Sequence, residues 1–192
     1  MRVLFIVEDG VDDLELYYAY YRAKEEGWQP IITSHSKYTN RLVFDENTGS
    51  YRREDRSVVG KRGVTFSVDK TYREALSEAP FDALIIPGGR SPERARLHRE
   101  AVELVKLHFE SFKPILAICH GPLLLASAGA LKGLRVTGHP GIGDDLRNAG
   151  AIYTGSEAEV DRCIVTTRHT TTIHEGMKLF IKLVSEGCLR PY

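Results

Sequence analysis

The chain has 192 residues, 42% of them hydrophobic and 27% charged, a length and balance that suit one globular domain with a real core. Its 26 Lys and Arg offset its 26 Asp and Glu, so neither nucleic acid nor an anionic membrane is expected as a main partner. No segment approaches the ~20 apolar residues of a membrane span, the apolar start is too short for a signal peptide, and the expected location is the cytoplasm. Three cysteines, Cys119, Cys163 and Cys188, are an odd number without ligand-like spacing. Neither a disulfide framework nor a zinc site is expected from them.

The first apolar run, Arg2 to Val7, reads as a strand buried on both faces. Asp12 opens a helical pattern that reaches about Glu26, and Gly27 is placed to stop it. Gln29 to Thr33 reads as a second strand. Residues 36–63 then break the pattern with a polar, charged stretch. Arg41 to Phe44 and Tyr51 to Arg53 are spaced to pair as a hairpin through residues 45–49. That stretch is either a solvated surface excursion or an arm used for assembly or as a lid.

Residues 81–86, F-D-A-L-I-I, form another buried strand, closed by Pro87-Gly88-Gly89. Helical patterning returns from Pro92, with Val102, Val105, Phe109 and Phe112 on one predicted face. Pro114 to Ile118 is a strand and Pro122 to Ala128 a helix. Strands follow at 135–137, 151–153 and 163–167, with a short helix at 144–149 and a last helix from Ile173 to Ser185. Strands alternating with helices imply parallel pairing through right-handed crossovers, hence an α/β three-layer sandwich with a mostly parallel sheet.

Chemistry points to Cys119. In an open parallel sheet, ligands bind beyond the carboxyl ends of the strands, and Cys119 stands at such an end between a strand and a helix. Ala117 and Gly121 flank it at two residues, so A-I-C-H-G has the small-x-nucleophile-x-small form of a nucleophile elbow. The N-terminus of the following helix is expected to favour a thiolate. Cys163 and Cys188 read as small buried hydrophobes.

Two further segments reach the same edge. Glu15 opens the first helix, and two roles stand open for it. One is the return half of a capping box with Asp12. The other is a carboxyl beside the sulfur, which then has to be protonated by burial so as not to repel a thiolate. Pro87 to Gly89 supplies backbone N–H groups, and those of Gly89 and His120 together suit an oxyanion hole. His120 is a candidate base, or contributes only its N–H. His35, His98, His108, His139, His169 and His174 read as surface or packing residues.

Four blocks, M-R-V-L-F-I-V-E-D-G-V-D-D-L-E-L, F-D-A-L-I-I-P-G-G-R-S-P-E-R-A-R, P-I-L-A-I-C-H-G-P-L-L-L-A-S-A-G-A-L and P-G-I-G-D-D-L-R-N-A-G-A, occur in one order. With them the chain resembles the ThiJ/PfpI family of the class I glutamine-amidotransferase-like superfamily, and most of all its PfpI-type intracellular cysteine peptidases. The resemblance implies a flavodoxin-like sandwich, Cys119 as nucleophile, Glu15 as the buried acid bonded to it and His120 as base. It makes Glu93 the acid behind His120, supplied by a neighbouring subunit, and so implies a homo-oligomer of two or more copies. Residues 36–63 are longer than the family's usual crossover, and Thr166 to Gly176 departs from the family run.

The expected activity is attack of the cysteine on a carbonyl. The substrate is a peptide or amide bond, or a small reactive aldehyde such as methylglyoxal, as in the glyoxalase or deglycase activity of the family. No cofactor or metal is called for. A glutaminase would want a downstream His-x-Glu, which His174-Glu175 does not supply. The non-enzymatic alternative is a redox sensor or holdase chaperone whose Cys119 is oxidised to a sulfinate.

Overall fold

The computed structural model describes residues 1–188. Strand β1 (Arg2–Ile6) leads into helix α1 (Asp13–Glu25), whose N-cap Asp12 accepts from the Leu14 and Glu15 N–H groups. β2 (Gln29–Ser34) follows, then two hairpins, β3 (Tyr38–Asp45) with β4 (Ser50–Asp55) and β5 (Ser57–Val59) with β6 (Thr65–Ser67). Next come β7 (Lys70–Thr71), α2 (Tyr72–Leu76), β8 (Ala83–Ile86), α3 (Ser91–Ala95) and α4 (Arg99–Glu110). β9 (Ile115–Ile118), α5 (Pro122–Ser127), β10 (Arg135–Val136), α6 (Gly143–Asn148) and β11 (Ile152–Tyr153) precede the closing β12 (Ala158–Asp161), β13 (Ile164–Thr167) and α7 (Ile173–Glu186).

The central sheet has seven strands in the order β12-β13-β9-β8-β1-β2-β7, and only β12 runs antiparallel. Side-chain alternation divides its strands between two cores. Leu4, Ile6, Leu84, Ile86 and Ala117 pack on one face with Leu104 of α4 and Leu124 of α5. Val3, Phe5, Ile85, Leu116 and Ile118 pack on the other with Leu16 of α1 and Phe180 of α7. This is the flavodoxin-like three-layer sandwich. Among the described residues, no helix is long and apolar enough to cross a membrane.

Two expectations need correction. The buried side of α4 is Ala101, Leu104, Val105 and His108, whereas Phe112 lies beyond the helix and is 42% exposed. His108 belongs inside because both ring nitrogens are satisfied. Its Nε2 accepts from the Phe81 N–H, and its Nδ1 meets the Leu104 carbonyl. Cys163 and Cys188 are not two separate hydrophobes but a disulfide pair. The start of β13 and the residues after α7 meet there with Cα atoms 4.9 Å apart, within the span of such a bridge. Finally, β5, β6, β7, α2 and β12 were not anticipated.

The β3–β4 hairpin sits where the sequence suggested, with Phe44 opposite Tyr51 and Leu42 opposite Arg53. Leu42, Phe44 and Tyr51 are exposed. The β5–β6 hairpin instead folds back on the loop after β1. Val59 N–H donates to Asp9, its carbonyl accepts from Gly10, and the Arg62 and Val64 N–H groups donate to the buried Asp13 carboxylate.

Candidate active site

Cys119 directly follows β9 and has φ +58°, in the left-handed region. That conformation costs a non-glycine residue roughly 1–2 kcal/mol, so its surroundings must enforce it. They do: Cys119 N–H donates to the Thr167 carbonyl at 2.9 Å, and its own carbonyl accepts from His139 N–H at 2.8 Å. The turn then closes with Gly121 N–H on the Ile118 carbonyl at 2.7 Å. A Cβ on residue 121 would stand 2.4 Å from the Ile86 carbonyl oxygen, which is why the position after His120 has to be glycine. The thiol is left 6% exposed, a narrow opening. Among the described residues it is the free cysteine.

Glu15 is wholly buried, one turn into α1. One carboxyl oxygen accepts from Gly88 N–H at 2.7 Å and the other from the Thr170 hydroxyl at 2.7 Å. It does not close a capping box, because Asp12 N–H donates to the Gly88 carbonyl instead. A Cβ on residue 88 would fall 2.7 Å from Glu15 Oε2 and 2.9 Å from Cys119 Cβ. Gly88 thus marks the place where carboxyl and cysteine come together. Burial above all, with the Asp12 charge, pushes the Glu15 carboxyl up to about 7, against the Thr170, Gly88 and Cys119 hydrogen bonds. Burial, and then the Glu15 charge, push the Cys119 thiol up. Against these stands the N-terminus of α5, which favours a thiolate. Here burial and the carboxylate outweigh it, and the carboxylate's share disappears when Glu15 takes a proton.

His120 Nδ1 lies 3.4 Å from the sulfur. Its ring stacks on His139 at 4.5 Å, and His139 leans on His169 at 5.9 Å. Burial, then the His139 neighbour, lower the His120 pKa, while the charge of Glu93 raises it. Glu93 of the same chain is thus in electrostatic reach of His120. It is exposed, with no hydrogen bond or ion pair to that ring among the described residues. The backbone N–H groups of Gly89 and His120 have no acceptor among the described residues, apart from the pull of His120 N–H on the cysteine sulfur.

Residues 1–183 match the profile of the DJ-1/PfpI family. The chain belongs to that family. Its relatives include Deglycase PfpI of Pyrococcus furiosus, 39% identical over 184 residues that cover 96% of this chain and 99% of the relative. The putative cysteine protease YraA of Bacillus subtilis is 35% identical over 87% of this chain and 88% of its own length. A ThiJ/PfpI domain protein of Brachyspira murdochii has the same fold, with TM-score 0.81 over 97% of each chain at 18% identity.

Within this DJ-1/PfpI chain, Cys119, Glu15 and His120 gather at one point, with Gly89 on the neighbouring loop and Glu93 at the rim. Thr170 and the stacked His139 and His169 join them without having been anticipated. Thr170 and His169 lie in the stretch that departs from the family run, the one sign that pointed there. The lone-histidine reading missed the row because its members come from three separate loops.

Proposed function

We propose that the chain is a cysteine enzyme that acts on small reactive aldehydes in the manner of a glyoxalase or deglycase. The observation that carries this is the buried Glu15 carboxyl, raised to about 7, beside a cysteine with a narrow opening. A group that takes up and returns a proton near neutrality is what the aldehyde route needs. The relative from P. furiosus, named a deglycase, supports it. In the proposed reaction the sulfur adds to the aldehyde carbon and its proton passes to Glu15 or His120. The N–H groups of Gly89 and His120 hold the oxygen as charge develops. In the resulting hemithioacetal, Glu15 moves a proton between adjacent carbons. Water then releases the acid and restores the thiol, so that methylglyoxal plus water becomes lactate.

Peptide or amide hydrolysis is the second reading, favoured by the His120 ring 3.4 Å from the sulfur and by the relative named a putative cysteine protease. Glu93 is the proposed acid behind His120. Assembly into a homo-oligomer is inferred from the exposed Leu42, Phe44 and Tyr51 on the β3–β4 ribbon. The proposed location is the cytoplasm, where a disulfide such as Cys163–Cys188 is uncommon outside hyperthermophiles; cell fractionation checks it.

The test is turnover of methylglyoxal and of a fluorogenic peptide by the wild type, Cys119→Ala and Glu93→Ala. Loss of methylglyoxal turnover in Cys119→Ala is the expected result, and unchanged turnover refutes the assignment. Mixing the two variants separates the sources of Glu93: activity returns only if that carboxylate crosses between copies. No turnover of either substrate, with ready oxidation of Cys119 to a sulfinate, identifies a redox sensor instead.

A further inference from the structure

A second group of chemically able side chains lies away from Cys119, beyond the ends of β1 and β2. Glu8 follows β1 and is 2% exposed. His35 follows β2, and its Nδ1 sits 2.9 Å from both Glu8 carboxyl oxygens. His98 precedes α4, and its ring lies parallel to that of His35 at 4.8 Å. Among the described residues, these are the only three His, Cys, Asp or Glu side chains whose ligand atoms all lie within 4.8 Å of one another.

We propose that Glu8, His35 and His98 form a binding site for a divalent transition-metal ion such as zinc. Two imidazoles and one carboxylate are the donor set that suits such ions, and three protein ligands leave a coordination position open. The position has somewhere to face. A cavity of about 300 Å³ is lined by His35, Tyr72, His98 and the Arg73–Glu100 ion pair. The carboxylate is already pre-set: Glu8 accepts from the His35 backbone N–H at 2.9 Å, which fixes its oxygens beside His35 Nδ1. The ring of His98 has no hydrogen-bond partner among the described residues, so turning it out of the stack breaks no such bond. The metal takes the place of the proton between His35 Nδ1 and Glu8, and the His98 ring turns to supply the third donor.

One cation stands close by. Arg56 Nη2 is 3.3 Å from Glu8 Oε2 but nearer, at 2.9 Å, to Asp9. Asp9 offsets the Arg56 charge and leaves that of Glu8 available. The ion would tie the ends of two parallel strands to the start of α4.

The experiment uses the full-length Cys119→Ser protein, so that the reactive thiol cannot hold the metal. Zinc is titrated by calorimetry, and cobalt is added as an optical probe of nitrogen and oxygen ligands. One equivalent is expected to bind. His98→Ala, at a half-exposed position whose loss leaves the fold intact, weakens it by about tenfold or more. Glu8→Gln does the same, with thermal unfolding as the check on its fold, and His139→Ala leaves binding unchanged. No binding, binding indifferent to His98→Ala, or loss in His139→Ala instead overturns the proposal. Each readout is binding alone and is independent of any turnover at Cys119.

Discussion

Replacing Glu15 by Gln should make the protein more stable, and increasingly so as the pH rises. In the folded chain the carboxyl titrates at about 7 against an ordinary 4.5, with burial as the leading cause. Between those values the folded protein keeps a proton that the unfolded chain has released. Stability contributed by this group is therefore lost as pH climbs from about 4.5 to 7, and the loss is complete above 7. Two and a half pH units at about 1.4 kcal/mol each come to about 3 kcal/mol. Glutamine imitates the protonated acid. Its oxygen accepts from Gly88 N–H and its NH₂ donates to the Thr170 hydroxyl, so it avoids the cost of an ionised carboxylate at high pH. Urea unfolding of both proteins at pH 5 and pH 8 reads the difference. The advantage of Glu15→Gln is expected to be about 2.5 kcal/mol larger at pH 8 than at pH 5, because part of the loss has already occurred by pH 5. The thiol, itself pushed up, stays protonated throughout and adds no slope. An advantage that does not change with pH, or one that shrinks, would refute the account of Glu15 as a buried acid held neutral.

Thr170→Val removes a hydroxyl that donates to the Glu15 carboxylate, so the midpoint of the Glu15 carboxyl itself, read from its carbon-13 shift against pH, should rise by about one unit, and Thr170→Ser should return it. An unmoved midpoint removes Thr170 from the site. Gly88→Ala puts a methyl group within 3 Å of Glu15, Ile118 and Cys119 atoms. It is expected to cost about 1–3 kcal/mol in urea unfolding and most of the turnover; an active protein of full stability would mean that the carboxyl and the cysteine are not packed as described.

What the sequence made legible follows from short-range rules. β1, β8 and β9 are short apolar runs, cut off by the Glu8-Asp9 pair, by Pro87-Gly88-Gly89 and by the elbow, and buried parallel strands look like that. The elbow could be read because its constraint is local: Ala117 and Gly121 must be small for the turn around Cys119 to close. Glu15 was ambiguous because Asp12-x-x-Glu15 fits a helix cap as well as a buried acid. Only the tertiary contact with Gly88, which also draws off the Asp12 N–H to its own carbonyl, decides between them. Thr170 was out of reach, since 155 residues separate it from its partner and a threonine in a loop carries no pattern. The disulfide was hidden for the same reason, as 25 residues of separation say nothing about whether two chain segments return to one place. β12 escaped because Ala158–Asp161 lies at the sheet's edge, half-buried throughout, with two acids among its four residues. α4 was misread by part of a turn because a fully buried histidine does not count as apolar.

The two hairpins between β2 and β7 differ in what the rest of the molecule asks of them. The β3–β4 ribbon projects, and among the described residues its turn at residues 45–49 bonds only within the ribbon. The β5–β6 hairpin is bolted to the start of α1: its backbone satisfies Asp9 and Asp13, and Lys61 and Arg62 pair with Asp12. These three carboxylates bracket the turn that presents Glu15 to the cysteine. Chain length can drift freely at the ribbon's tip, and a tag or epitope inserted there leaves the sheet's working edge alone. A deletion at Arg62 to Val64 would strand the almost fully buried Asp13 without its donors. The long crossover is therefore two kinds of sequence in one: a variable outer part open to remodelling, and an inner part bound to co-vary with the helix that carries the buried acid.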